Sequence, residues 1–283
     1  MIWGQPNEGV LMTAEQPLRP ITDQEIRTFE TDGIVCLRQM FSSDWVKRMQ
    51  EAAEVSMAKP GDLHAELSAE RGDTGRFFHD TFIWQRNNTC RSFVFDSPAA
   101  LITQTLLQSK KINLFFDQWL IKEPETGTKT PWHHDMTYWP IDGRQICTLW
   151  LALDEVSAET GAVEYIKGSH KWGKKFRPAS FGDNNQYTEN IPEVPDIEHQ
   201  RDRYDIAQFD LSPGDCTVHH GLTVHAAPGN KTTTHRRRAH TSRWTGDDVI
   251  YRPRRGLQEM PPIPPGLATG DPIDSELWPR IVG

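Results

Sequence analysis

Trp132-His133-His134-Asp135 is answered about ninety residues later by His225 and then by Arg236-Arg237-Arg238, and the rest of the chain can be placed around these two stretches. A His-x-Asp pair at a strand end plus one distant His is the ligand set of a facial triad. Two imidazoles and a carboxylate hold Fe(II) on one side and leave the opposite side open. Thiolate is absent from the set, which argues against a zinc–thiolate or iron–sulfur site. In an extended segment alternate side chains point the same way, so His133 and Asp135 reach one metal while His134 points elsewhere. An open coordination face needs a co-substrate, and a nearby arginine can clamp a carboxylate through two parallel hydrogen bonds. On residue type alone, His219 and His220 compete with His225 for the distal position.

Outward from these stretches the pattern is mainly β, behind an N-terminal helical third of about residues 20–110. Thr22-Asp23-Gln24-Glu25 is a capping box for a short helix that Gly33 can terminate. Ile34 to Leu37 reads as a strand, Ser42 or Ser43 caps a helix to about Lys59, and Ser97-Pro98 opens another. Residues 62–92 read as polar and irregular. From Ile112 to about residue 250 the rhythm is short β segments broken by Gly, Pro and Asp. They include Asn113 to Lys122, Ile146 to Asp154, Ala162 to Ile166, Cys216 to His219, Thr223 to Ala226 and Arg237 to Trp244. Such a series fits a double-stranded β-helix, a cupin-like jelly roll. Residues 171–205 form a long polar connection, and the chain ends in an irregular tail carrying Pro261-Pro262-Ile263-Pro264-Pro265. No linker or repeat divides residues 1–283, so a single domain is expected.

The chain resembles the phytanoyl-CoA dioxygenase family of Fe(II)/2-oxoglutarate oxygenases. Besides Pro131 to Asp135, the resemblance rests on Leu149-Trp150-Leu151-Ala152-Leu153-Asp154, Gly168-Ser169-His170, Pro213-Gly214-Asp215, and Arg243-Trp244-Thr245-Gly246-Asp247-Asp248. It implies Fe(II) held by His133, Asp135 and His225, since the family's distal His stands five residues before an Asn, here Asn230. It implies 2-oxoglutarate and O2 as co-substrates, with succinate and CO2 as products. Relatives that halogenate lack the carboxylate, so Asp135 points to hydroxylation. Trp150 falls where the family has a tryptophan beside the co-substrate. Gln118 and Lys122 share one face of their strand and could reach the same pocket. The family's Ser two residues after the distal His is replaced by Ala227, so another donor must serve there.

Two spacings in the resemblance point to different arginines for the distal carboxylate of 2-oxoglutarate. Counted from His225 the family spacing lands on Arg236; counted back from Arg243-Trp244 it lands on Arg237. One residue has been inserted, and a loop tolerates that where a strand does not, because a slip turns every later side chain over. The strand-side count selects Arg237, with Arg236 and Arg238 on the opposite face.

Composition narrows the partners. A net charge of −8 and a pI of about 5.8 disfavour nucleic acid. No apolar run is long enough to span a bilayer, and no secretory pattern opens the chain. Cys36, Cys90, Cys147 and Cys216 lack CxxC spacing and read as reduced, buried residues. A cytoplasmic oxidoreductase acting on a small organic molecule is the expectation. Tyr138, Trp139, His79 and Trp84 are candidates for its pocket. The alternative class is a cupin-like metalloprotein with non-redox, isomerase-type chemistry.

Overall fold

The computed structural model describes residues 14–67, 74–177, 191–253 and 266–283. The helices are α1 (Asp23–Asp32), α2 (Ser43–Ala58), α3 (Asn88–Asp96) and α4 (Ala99–Leu107). The strands are β1 (Ile34–Leu37), β2 (Ala65–Glu66), β3 (Phe77–Thr81), β4 (Ile112–Lys122), β5 (Thr130–His133), β6 (Ile141–Asp142), β7 (Ile146–Ala152), β8 (Glu164–Ile166), β9 (Ile206–Gln208), β10 (Cys216–His220), β11 (His225–Ala227), β12 (Arg237–Thr245), β13 (Ile250–Tyr251) and β14 (Arg280–Val282).

Two open sheets make the jelly roll. The major sheet runs β1-β10-β7-β12-β4-β3-β2, with β14 added to β4; the minor sheet runs β5-β11-β8-β9. β13 and β6 form a separate pair. The major sheet is covered on one side by the helices, and its period of two explains why. In β7, Cys147, Leu149 and Leu151 join the core that holds Trp45, Met49 and Phe93 from α2 and α3. Thr148, Trp150 and Ala152 alternate with them and face the other way, toward the minor sheet. Because both faces are covered, all seven residues of β7 are buried. The helices begin where the caps demand: Thr22 and Glu25 complete a capping box on α1, and Gly33 ends it in the left-handed conformation.

Two readings are corrected. Residues 62–92 are not irregular throughout. They contain β3, paired with β4, and α3, capped by the Asn87 side chain on the N–H groups of Thr89 and Cys90. The C-terminal stretch is not wholly irregular, because β14 pairs with β4. The long connection ends at about residue 205, as expected, where β9 joins β8. The proline run at 261–265, residues 1–13, and the Tyr138 side chain lie outside the described residues. No helix among the described residues is long and apolar enough to cross a membrane.

Candidate metal centre and co-substrate pocket

The inner faces of the two sheets enclose the site. His225 on β11 is the direct cross-strand partner of His133 on β5 and of Tyr165 on β8, so these three share one surface of the minor sheet. Asp135 follows two residues after His133, at the start of a 3-10 turn. His133, Asp135 and His225 each offer a ligand atom within 4.8 Å of the other two. Oδ1 of Asp135 stands 3.6 Å from His133 Nε2 and 3.9 Å from His225 Nε2.

The imidazoles are oriented for this. His133 Nδ1 lies 2.8 Å from the carbonyl oxygen of Pro131, and His225 Nδ1 lies 2.9 Å from that of Thr223. A carbonyl can only accept, so each Nδ1 carries the proton and each Nε2 presents a lone pair to the centre. Burial, reinforced by the neighbouring His133 and His219, holds His225 well below the ordinary histidine range. Burial by itself would raise the Asp135 carboxyl, but its contacts with His133 and His219 and the nearby His225 hold it well below the carboxylate range. Neutral imidazoles and an ionised carboxylate are the protonation states a divalent metal requires. The donor set fits Fe(II) in residue type and in convergence.

The other oxygen of Asp135 is held by the major sheet. Thr148 Oγ1 donates to Oδ2 at 2.9 Å, and His219 Nε2 lies 3.4 Å from the same atom. That leaves Oδ1 as the oxygen that could serve a metal. Thr148→Val keeps the shape and removes the donor. It is expected to weaken metal binding by roughly tenfold with the fold retained; a calorimetric titration with Fe(II) that matches the wild type would remove Thr148 from this role.

The competing histidines separate by face. His134 turns away, accepting from the Phe176 backbone N–H at 2.9 Å. His220 Nε2 donates to the Arg144 carbonyl and its Nδ1 accepts from the Leu222 N–H, while burial pushes its pKa down to about 4. His219 points inward but falls outside the three-ligand cluster. A second group, Cys90, Asp117 and His240, lies on the helix side of the major sheet. There Asp117 accepts from the Trp84 N–H and sits 3.2 Å from His240 Nε2, which ties the Ile83–Gln85 turn to the sheet.

The three arginines divide the same way. Arg236 pairs with Glu54 and Glu123, and Arg238 with Asp154 and Glu54, all away from the inner face. Arg237 is 2% exposed and lies inside. One Nη donates to the Leu120 carbonyl at 3.0 Å, the guanidinium lies 5.4 Å from the centre of the Trp150 ring, and its Nε has no partner. No carboxylate pairs with it among the described residues, and burial lowers its pKa to about 10 against the pull of Asp154 and Tyr165. Trp150 Nε1 is also without a partner. Lys122, across from Arg237 on β4, has its ammonium against the carbonyl oxygens of Thr128 and Pro228.

Gln118 shares the inner face, but its Oε1 accepts from Arg243 at 2.8 Å and its amide nitrogen lies 3.4 Å from His79 Nδ1. Asn230 shapes the loop after β11 by bonding the carbonyls of Lys122 and His235. Trp84 packs in the helix-side core and Trp139 against Phe115 and Phe116. Thr148, Tyr165 and Arg243 were not singled out for the site from the sequence, and His219 was weighed there only as a rival distal ligand. Only Arg243 carried a signal, since it lies an even number of residues from Arg237 on one strand.

The profile of the phytanoyl-CoA dioxygenase (PhyH) family matches residues 29–239. The chain belongs to that family. It is an iron- and 2-oxoglutarate-dependent dioxygenase. Phytanoyl-CoA dioxygenase 1 of Oryza sativa subsp. japonica is 22% identical over 246 residues, covering 74% of this chain and 84% of that protein. Among solved structures, the non-heme alpha ketoglutarate dependent carbocyclase SnoK from nogalamycin biosynthesis superposes with a TM-score of 0.71 at 24% identity, covering 93% of this chain and 97% of SnoK. The epimerase SnoN in complex with Fe3+, alpha ketoglutarate and nogalamycin RO gives a TM-score of 0.71 at 22% identity, covering 92% and 98%. These structural likenesses are likenesses of fold.

Proposed function

We propose that this dioxygenase holds Fe(II) through His133, Asp135 and His225, seats 2-oxoglutarate between that centre and Arg237, and hydroxylates a small organic molecule with release of succinate and CO2. The observation that carries the assignment of residues is the pairing of two features inside one jelly roll. Three neutral-N and carboxylate donors converge, and a buried guanidinium without a carboxylate partner among the described residues stands beside Trp150.

Each residue has a task that its surroundings allow. Pro131 and Thr223 carbonyls fix the His133 and His225 rings, so no proton has to leave Nε2 when metal binds. Thr148 keeps Asp135 turned by one oxygen. Arg237 offers its free edge to the distal carboxylate, and Trp150 walls that end against water. Tyr165, whose hydroxyl bonds Thr217 at 2.9 Å and which senses the charge of Arg237, supplies the donor that Ala227 lacks. Bound iron supplies the O2 chemistry that decarboxylates 2-oxoglutarate and oxidises the second substrate.

The test is uncoupled turnover. Protein given Fe(II), O2 and 2-oxoglutarate with no second substrate is expected to release succinate slowly, and a chelator should stop it. Metal-loaded protein that neither binds 2-oxoglutarate nor forms succinate is the outcome that favours the non-redox, isomerase-type reading instead.

A further inference from the structure

Arg243 is a second buried guanidinium on the inner face of β12. It stands six residues beyond Arg237, so alternation puts both on one face, roughly 20 Å apart along the strand. Its position relative to the metal ligands is fixed by register. Arg243 is the cross-strand partner of Thr148, the residue whose hydroxyl bonds Asp135. On its other side it is the partner of Phe116 on β4, and its guanidinium lies 4.5 Å from the centre of that ring.

Its hydrogen bonds are all to neutral groups. One Nη donates to Thr241 Oγ1 at 2.6 Å and the other to Gln118 Oε1 at 2.8 Å, while Nε has no partner. Among the described residues no carboxylate pairs with Arg243, although it is only 7% exposed. A buried cation without a counter-anion is costly. Thr241 and Gln118 do not lessen the charge; they hold the fork still and leave its Nε edge free, the edge that accepts a carboxylate side-on.

The charges already assigned do not use it. A divalent metal, Asp135, the two carboxylates of 2-oxoglutarate and Arg237 together come to zero. Lys122 stands at the Arg237 end of the same face against the carbonyls of Thr128 and Pro228, so Arg243 is the positive charge beside the metal centre that these groups do not offset. Of the two carboxylates whose charge reaches Arg243, Asp135 is already counted with the metal, and Asp117 lies on the far face of the sheet, engaged by the Trp84 N–H and His240.

We infer that Arg243 anchors a carboxylate on the primary substrate, so that this dioxygenase takes a small, carboxylate-bearing organic molecule. The inference rests on the co-substrate assignment above. Phe116, with Trp139 and Phe82 packed against it, offers an apolar wall beside the charge. An aryl carboxylate is therefore a suitable probe.

The test uses the full chain loaded with Zn(II) and saturating 2-oxoglutarate, with benzoate and its neutral counterpart benzamide as probes followed by NMR titration. Wild-type protein is expected to bind benzoate at least tenfold more tightly than benzamide. Arg243→Met should weaken benzoate at least tenfold and leave benzamide within about twofold, while Arg243→Lys falls between. The affinity for 2-oxoglutarate, measured by calorimetry, should suffer less from Arg243→Met than from Arg237→Met. If Arg243→Met does not fold by circular dichroism, Arg243→Gln and Arg243→Lys carry the comparison. Benzoate bound no better than benzamide, or equally by wild type and variant, overturns the proposal. So does a loss of 2-oxoglutarate affinity equal to that of Arg237→Met, which assigns Arg243 to the co-substrate. Wild-type protein that binds metal but no 2-oxoglutarate overturns the reading beneath, and this inference with it.

Discussion

Asp135→Ala is expected to give a folded protein that retains no Fe(II) after desalting and forms no succinate above background. The carboxylate is the one anionic donor in a set otherwise made of neutral imidazoles, so its loss removes both a ligand and the charge that offsets the metal's. The fold should survive because Asp135 begins a short 3-10 turn between β5 and β6 and has no part in either hydrophobic cluster flanking the site. The substitution leaves the buried Thr148 hydroxyl without its acceptor, a cost of about 1–3 kcal/mol. His225→Ala should behave alike in activity. It should cost more stability, because the ring packs between His133 and His219 at centroid distances of 4.2 and 4.4 Å. Metal content and succinate yield, read beside a circular-dichroism melt, check both. Turnover at the wild-type level in either variant would strike that residue from the centre.

Arg237→Ala should raise the 2-oxoglutarate KM by at least about tenfold, and Arg236→Ala should change it little. Truncating one partner of a buried, hydrogen-bonded charge pair costs roughly 2–5 kcal/mol, much of it the desolvated charge left behind. Arg237 is buried against Trp150 and, among the described residues, its side chain makes one hydrogen bond to the protein, at Leu120, so most of its donors remain for a ligand. Arg236 is spoken for by Glu54 and Glu123 at the surface, and an exposed pair of this kind contributes little. Arg238, whose guanidinium makes two bonds to Asp154, should affect stability more than KM. The order of the Arg236 and Arg237 effects is the measurement that matters. A larger effect at Arg236 would mean that the guanidinium inside the sheets is not the one that meets the co-substrate.

Much of the framework was legible because it follows local rules. The capping box at Thr22 and Glu25 and the Ser42 cap are written in adjacent residues. β12 was legible as a strand, and its phase separated Arg237 from its neighbours without any structure. β3 was not legible, since it lies between β2 and β4 with both faces covered. Four of its five residues are buried, and no alternation marks it. The α3 helix could have been found: Asn87 caps it, and Cys90, Phe93 and Val94 fall at helical spacing. β14 offered no signal at all. Three residues with mixed burial become a strand only because β4 has an open stretch at Ile112 and Asn113.

By itself the sequence determined the ligand types, the family resemblance, and which arginine faces inward, because each depends on residue identity or on a period of two along one strand. The resemblance named His225 as the distal ligand; the tertiary structure alone showed what His219 and His220 do instead. His219 and His220 differ by one position on β10, and only the neighbouring strands say that one faces the centre and the other the Arg144 carbonyl. It alone showed that Thr148 holds Asp135 and that Arg243 lies beside them without a counter-anion among the described residues. Those relations join residues 13 to 108 positions apart, across sheets whose pairing no local pattern encodes.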